Sequence, residues 1–212
     1  LYEHHTTSLV FNDAPLHTRV RKAIAGALSP RAIAGMDVVV GQLVDRLLDD
    51  MAARQADGKP IDAVADFAQN IPIEVIGNLL AIPRAERDPL RDWSLAILGA
   101  LEPEINDAQF DAGEGAVRDF LAYLQARVAR RQAEGVEDAS DIMARLIRET
   151  GAAGEDANLL PHELLQNCIF ILNAGHETTT NLICSGIWLL SQLPDKVAML
   201  NADTSLWPAA IE

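Results

Sequence analysis

The chain has 212 residues and a formal net charge of −14, with 49% hydrophobic and 23% charged residues. This balance excludes an intrinsically disordered chain, and the acidic charge disfavours nucleic-acid binding because it repels phosphate. Two cysteines exclude a disulfide scaffold and are typical of a reducing, cytoplasmic compartment. No signal peptide is expected at the start, and the most apolar stretch, residues 164–193, carries too many polar side chains to predict a membrane span.

Apolar residues recur every three or four positions along most of the chain, which is the spacing of amphipathic helices. Ser29 and Pro30 form a helix-start signal, and the apolar pattern behind them predicts a helix that ends near Gly58. Gly- and acid-rich linkers are expected at residues 133–139 and 150–156. Further helices are predicted over residues 72–81, 86–101, 107–134, 140–149 and 194–201, and from 207 onward.

The longest predicted helix lies between Pro161 and Pro194 and would be about 50 Å long at 1.5 Å per residue. Its middle is apolar on all sides, as in a helix that crosses the centre of a large domain. Strand signals are scarce, since only residues 8–11 alternate weakly, and His4 and His5 before them are expected to be ordinary surface residues. We therefore predict a mainly α fold with a long central helix and little sheet.

A cluster of residues unsuited to a core helix occupies the middle of this longest helix. Residues 174–180 read Ala-Gly-His-Glu-Thr-Thr-Thr, and Gly and Thr are poor helix formers. Gly175 would let another group approach the backbone, and the Thr hydroxyls could bond to carbonyls one turn earlier and bend or widen the helix. Glu177 would be a buried carboxylate, which is costly unless it is used or paired. The pattern fits either a notch with a proton-carrying acid and a hydroxyl, or a kinked helix whose His176 and Glu177 are satisfied by neighbours.

Metal sites are not predicted from residue spacing. His176 and Glu177 could begin a zinc motif of the form His-Glu-x-x-His, but Thr180 occupies the position of the second His. Cys168 and Cys184 would point about 160° apart around a helix, so they would not converge on one ion. We expect both cysteines to be small core residues.

A second cluster lies near the start of the chain. Asp13 is predicted to cap the helix that follows it. His17 and Arg21 would then lie one turn apart on the same helix face, which suits a clamp for a carboxylate or phosphate. Residues 1–31 carry a formal charge of +2 on this acidic chain, so a local basic patch is expected. The alternative is a solvated basic face without a ligand.

The two clusters together resemble motifs of one protein family. Residues 174–179, Ala-Gly-His-Glu-Thr-Thr, resemble the oxygen-binding motif in the I helix of the cytochrome P450 family, whose pattern is Ala/Gly-Gly-x-Asp/Glu-Thr-Thr/Ser. Residues 13–21, Asp-Ala-Pro-Leu-His-Thr-Arg-Val-Arg, are similar to the family's C-helix motif. The predicted helices between the motifs match the family's D to H helices in number and order. The resemblance covers essentially the whole chain and is to the soluble, bacterial-type members.

The resemblance implies that residues 1–212 form part of a cytochrome P450 domain, from about the C helix to the start of the K helix. The family's N-terminal strands, its K-helix Glu-x-x-Arg and its Cys-bearing, heme-binding loop would lie outside the chain, and Glu212 would precede the Glu of that motif. Cys168 and Cys184 could not replace the iron ligand because both lie in the I helix. The family's sheets fall in these outer parts, which agrees with the few strand signals.

The resemblance also implies a cofactor, which is heme b (iron protoporphyrin IX). His17 and Arg21 would hold the heme propionates through charge-assisted hydrogen bonds. Ala174 and Gly175 would leave room over the iron for dioxygen. The thiolate and the heme would carry the oxidation chemistry, and this chain would supply placement and electrostatics.

By the same resemblance, Glu177 would relay protons inward as a buried carboxylate with a perturbed pKa, and Thr178 would hydrogen-bond to the oxygen being reduced. Residues 84–125 correspond to the family's F and G helices and would form a lid over a small, largely apolar organic substrate. Arg19 and Lys22 could attract an acidic ferredoxin, and a flavin reductase is the other type of electron donor. The expected function is a monooxygenase that inserts one atom of O2 into the substrate.

Two alternatives stay open at this point. The chain could be the product of a truncated or decayed gene, a non-catalytic helical remnant that is inactive alone and exposes apolar surface. It could also be a sensor domain that binds a small ligand in the same notch. The coding sequence downstream of residue 212 distinguishes the monooxygenase from the remnant, because only the former needs the Glu-x-x-Arg motif and the Cys loop.

Overall fold

The computed structural model of the chain describes residues 1–28, 33–136, 141–150 and 159–211. Most of these residues are helical, and the one β-bridge among them joins Thr150 to Leu159. The predicted mainly α fold with little sheet is therefore confirmed. The α-helices are α1 (Tyr2–Thr7), α2 (Leu16–Ala27), α3 (Met36–Ala56), α4 (Asn70–Leu79), α5 (Asp88–Gly99), α6 (Asp107–Glu134), α7 (Ile142–Arg148), α8 (Pro161–Ser191), α9 (Pro194–Ala202) and α10 (Trp207–Ile211).

Helix α8 is the centre of the fold, since α1, α4, α5 and α6 all pack against it. It has 31 residues and is about 46 Å long. Pro161 lies in its first turn, and the Glu163 carboxylate accepts a hydrogen bond from the Leu160 amide at 2.8 Å, which satisfies a free N–H at the helix start. The first half of α8 is buried, but most residues from Asn181 onward are exposed, so the predicted burial on all sides is wrong for its second half. No helix in the described parts of the chain is long and apolar enough to cross a membrane.

Helices α5 and α6 are joined by aromatic side chains. The rings of Trp93 and Phe120 stack with centroids 5.0 Å apart, and Tyr123 lies beside both. The Tyr123 hydroxyl donates a hydrogen bond to Glu86 at 2.7 Å, and burial together with this carboxylate raises the pKa of Tyr123. The 3-10 turn before α5, which contains Glu86, is thereby tied to α6, and the stacked rings join the two helices into one packed unit.

The connection between α4 and α5 is held by a single buried guanidinium. Arg87 donates to the Ile82 carbonyl at 2.9 and 2.7 Å and to Asn78 at 2.7 Å, and it pairs with Glu74. Gly77 makes room for it, because a Cβ there would lie 2.3 Å from Arg87 Nε. The position of α5 is therefore fixed from the α4 side as well.

The helix predicted over residues 107–134 is confirmed with the same bounds, because Asn106 and Gln109 form a capping box with both bonds at 3.0 Å.

The strand signal at residues 8–11 is wrong, since Leu9–Phe11 is a 3-10 turn whose Leu9 amide is bound by Asn167 of α8. A π-helical segment at Ala63–Ala68 was not predicted. The predicted helix start at Ser29 and Pro30, parts of both Gly- and acid-rich linkers, and Glu212 lie outside the described residues.

Gly113 of α6 offers a test of this packing. A Cβ at Gly113 would lie 2.4 Å from the Ala100 Cβ and 3.1 Å from the Ala96 carbonyl, so we expect Gly113→Ala to destabilise the protein by about 1–3 kcal/mol in urea unfolding. Gly115 is the matched control, because the nearest atom to its added Cβ is Arg118 Nη2 at 3.7 Å. Gly115→Ala should raise stability by up to about 1 kcal/mol, and equal effects at both positions would contradict the packing described here.

Candidate functional site

The motif at residues 174–180 lies in an unbroken part of α8. The Thr178 hydroxyl donates to the Ala174 carbonyl at 2.7 Å, and the Thr180 hydroxyl donates to the His176 carbonyl at 2.9 Å. The predicted back-bonding of the threonines is thus confirmed. The predicted widening is not found, because Pro161–Ser191 remains α-helical throughout, without a π-turn or a break.

Four residues of α8 form an exposed strip, here called the open face: Ala174, Glu177, Thr178 and Asn181. At about 100° per residue they span about 100° of the helix circumference. Glu177, predicted to be a buried carboxylate, is exposed among the described residues, because the helices of this chain that pack against α8 cover its other sides. Ala174, Glu177 and Thr178 nevertheless share one surface, as their spacing of three and four residues requires.

Gly175 lies on a different side of α8 from the open face. A Cβ at Gly175 would lie 2.8 Å from Ile76 Cδ1, so the absence of a side chain lets α4 approach α8 closely. The side chain of Ile76 in α4 therefore lies directly against Gly175, and the prediction that Ala174 and Gly175 leave room for dioxygen stays a prediction. An apolar pocket of about 360 Å³ lies beside it, between α2, α4 and α8, and its walls include Ile24 and Phe170.

Helix α2 carries the predicted basic pair. His17 is half-buried and Arg21 is exposed, and neither side chain makes a hydrogen bond or ion pair with another residue that the structure describes. They lie four residues apart in the same helix and so share a face. The predicted cap by Asp13 is wrong, because Pro15 occupies the N-cap position and no side chain bonds to the helix start.

Arg19 lies between His17 and Arg21 in the sequence, but its side chain is directed toward α8. It forms an ion pair with Glu163 of α8, whose side chain is 2% exposed, whereas the Arg19 side chain is 36% exposed. Arg19 is two residues from both His17 and Arg21, about 200° around the helix, so its pairing with α8 directs the other two side chains outward. Arg19 therefore pairs within the chain. Of the two residues predicted to attract an acidic ferredoxin, Arg19 and Lys22, it is Lys22 that is exposed.

The first helix is docked on α8 by a buried histidine. His4 Nδ1 lies 3.0 Å from Gln166 Oε1 and 3.0 Å from the Ser8 hydroxyl. The prediction that His4 is a surface residue is wrong, since it is 2% exposed. Burial lowers the pKa of His4 to about 4, so the ring is neutral at pH 7.

Other titratable groups on α8 are also shifted by burial. Burial lowers the pKa of His176, whose Nδ1 lies 3.2 Å from the Ser94 hydroxyl of α5, and Arg91 lowers it further. Burial raises the pKa of Cys168 to about 12, which fits the predicted core role, whereas Cys184 is only half-buried. Within the described ranges, no group of three His, Cys, Asp or Glu side chains could hold a metal ion.

The buried His4 predicts how stability depends on pH. An unfolded His titrates near pH 6.5 and His4 in the fold near pH 4, so the unfolded chain binds the proton more readily. Stability should fall as the pH decreases from about 7 to 4, by up to about 3 kcal/mol from this residue. In His4→Gln that slope should become shallower, as measured by urea unfolding across this range, with the exposed His162→Gln as the control. An identical slope in wild type and His4→Gln would contradict this assignment.

No family model matches the chain. Cytochrome P450 107B1 of Saccharopolyspora erythraea is 34% identical over 201 residues, which are 94% of this chain and 45% of that protein. The 6-deoxyerythronolide B hydroxylase of the same species is 31% identical over 206 residues, 97% of this chain and 48% of that protein. The chain therefore spans about half the length of the curated relatives it matches.

Solved structures give the same result. The myxobacterial cytochrome P450 CYP267B1, in complex with myristic acid, has a TM-score of 0.81 and 31% identity over 97% of this chain and 48% of that one. CalO2 has a TM-score of 0.87 over 99% of this chain and 50% of its own, and at 24% identity it supports the fold alone. Because agreement in sequence and in backbone extends over nearly all of these residues, the chain belongs to the cytochrome P450 family and is of the bacterial type.

Proposed function

We propose that the protein containing this chain is a heme-thiolate monooxygenase that inserts one atom of O2 into a small, largely apolar organic substrate. The observation that carries the proposal is the open face of α8, where Ala174, Glu177 and Thr178 share one exposed surface. A small residue, a carboxylate and a hydroxyl in that order suit a site where oxygen is held and protons are delivered. The relatives include a named hydroxylase, which supports this reaction class.

The residues of this chain fit heme b as the cofactor. His17 and Arg21 are donors on one face of α2 with no partner among the described residues, so they are free to bind two propionates. Ala174 presents only a methyl group on the open face, which leaves a shallow surface for the flat ring. When bound, heme supplies the electron-transfer and oxygen-activation chemistry.

Thr178 and Glu177 are proposed to move protons at the open face. The Thr178 hydroxyl donates its one proton to the Ala174 carbonyl at 2.7 Å, and its oxygen remains able to accept a hydrogen bond. Glu177 is exposed on the same face and can exchange protons with water. In this mechanism Glu177 would take up a proton from water, and the Thr178 hydroxyl would turn from the Ala174 carbonyl, give up its own proton and accept one from the Glu177 carboxyl in its place.

The thiolate that binds the iron is proposed to come from outside these residues. Cys168 is fully buried in the core, and its raised pKa keeps it a thiol. Cys184 lies four turns further along the same helix, on a different side. The electrons are proposed to come from a ferredoxin-type or flavin reductase donor, with Lys22 as an exposed contact for an acidic partner.

Removal of the Thr178 hydroxyl should uncouple electron use from product. In the full-length protein, we expect Thr178→Ala to keep consuming electrons while the product formed per electron pair falls about tenfold or more. Thr178→Ser is the matched control, because it retains the hydroxyl and should retain most of the coupling. Wild-type coupling in Thr178→Ala, measured as product against reductant consumed, would refute the proton role.

Removal of the basic pair should weaken heme retention. Each charge-assisted bond contributes about 1.5–3 kcal/mol, so His17→Ala with Arg21→Ala should raise the heme dissociation constant about 100-fold or more. The measurement is heme titration of the apoprotein, and Lys22→Ala on the same helix serves as the control for lost positive charge. Unchanged heme affinity in the double variant would remove the propionate clamp from the proposal.

A further inference from the structure

A polar cleft lies between α3 and α4, on a part of the fold that neither the open face nor the basic pair uses. Its volume is about 310 Å³, and its walls come from these two helices, the π-helical segment Ala63–Ala68 and the 3-10 turn Arg84–Glu86. Three arginines line it, which are Arg46 and Arg54 of α3 and Arg84 of the turn. We call this cavity the arginine cleft.

One carboxylate in the arginine cleft, that of Glu74, is shared by three guanidinium groups. Its Oε2 pairs with the buried Arg87. Its Oε1 lies 3.5 Å from Arg46 Nη2 and 3.2 Å from Arg84 Nε. A single negative charge cannot neutralise three positive charges, so Arg46 and Arg84 bring positive charge in excess.

The other two carboxylates of the cleft offset only part of this excess. Asp66 pairs with Arg54 at 3.0 Å. Asp50 lies four residues from both Arg46 and Arg54 on α3, and it makes no ion pair with any residue that the structure describes. With Arg87 included, four arginines meet three carboxylates, so the arginine cleft is a locally positive site on a chain whose net charge is −14.

The surplus guanidinium groups also have hydrogen-bond donors to spare, since each arginine carries five N–H groups. Among the described residues, Arg46 donates only from Nη2, to Glu74, and the two terminal nitrogens of Arg84 have no partner. The Arg84 side chain is 62% exposed and the Arg46 side chain is 33% exposed, so both are accessible from solvent. An anion in the cleft could therefore be bound by both side chains at once.

The number of donors favours a phosphate group over a carboxylate. A carboxylate has two oxygens, which suit one guanidinium fork, whereas the three terminal oxygens of a phosphate monoester can be bound by two guanidinium groups from different sides. The cleft is larger than a phosphate group requires, and the apolar side chains of Leu47 and Met51 form part of its wall. The remaining space therefore suits an organic portion of the ligand.

We propose that the arginine cleft binds a small organic phosphate monoester, with Arg46 and Arg84 holding the phosphate and Leu47 and Met51 contacting the organic portion. The Asp50 carboxylate repels the phosphate and so limits the affinity. This inference does not rest on the proposed function, because the cleft shares no residue with the open face or the basic pair.

The test compares phenyl phosphate with benzoate, which share an aromatic ring and differ in the anionic group. Binding to the full-length protein is measured by calorimetry at constant ionic strength and at about pH 8, where the phosphate carries two negative charges. We expect phenyl phosphate to bind about tenfold or more tightly than benzoate, and Arg84→Gln to weaken phenyl phosphate about tenfold. Arg118→Gln is the matched control, because it removes an exposed arginine of α6 and should leave the affinity unchanged.

A second variant acts in the opposite direction. Asp50→Asn removes the repelling carboxylate and should tighten the binding of phenyl phosphate about threefold or more. Asp37→Asn, about 20 Å away near the start of α3, makes the same change in net charge and should have little effect. Equal affinity in wild type and Arg84→Gln would overturn the inference, and so would equal affinity of the wild type for both probes or an Asp50→Asn variant that binds no more tightly.

Discussion

A buried carboxylate at the start of α8 fixes how the N-terminal helices lie on the central helix. Glu163 accepts a hydrogen bond from the Leu160 amide with one oxygen and pairs with Arg19 through the other. A buried ion pair adds little net stability compared with apolar packing, but it is satisfied by only one arrangement. A rotation of α2 that separated Arg19 from Glu163 would leave the buried Glu163 carboxylate without its charge partner. The outward direction of His17 and Arg21 follows from this constraint.

The same turns of α8 hold the segment before α2 as well. The Asn167 side chain accepts from the Leu9 amide at 3.0 Å and donates to the Thr7 carbonyl at 3.3 Å, while Gln166 binds His4. The helix then continues without a break to Thr178, fifteen residues and about 22 Å beyond Glu163. One rigid element therefore carries both the attachment of the basic pair and the open face, and no flexible loop separates them.

The parts of the fold that depend on neighbouring residues could be predicted from the sequence. The bounds of α6 follow from the Asn106 cap, and those of α8 from its flanking prolines, because these signals act within one helical turn. The back-bond of Thr178 is equally local, since it reaches only to the carbonyl four residues earlier.

The parts of the fold that depend on distant residues could not be predicted from the sequence. Burial of His4 requires Gln166, which lies 162 residues away in the sequence. The exposure of Glu177 depends on which sides of α8 the other helices cover, and hydropathy along one helix does not encode that. One local prediction was also wrong: Asp13 does not cap α2, because the chain enters the helix through Pro15, whose helical backbone already fills the N-cap position.

The two small residues of the motif have different physical roles, and this difference accounts for the motif's form. Ala174 faces the open side, where a methyl group is small enough to leave a shallow surface, so either Ala or Gly would serve there. Gly175 faces Ile76, whose Cδ1 would lie 2.8 Å from any added Cβ, so even Ala would require the Ile76 side chain to shift. The family pattern, which accepts Ala or Gly at the first position and only Gly at the second, is what this packing requires. The second position is thus limited by the contact between two helices, and under the proposed function the first would be limited by the molecule on the open face.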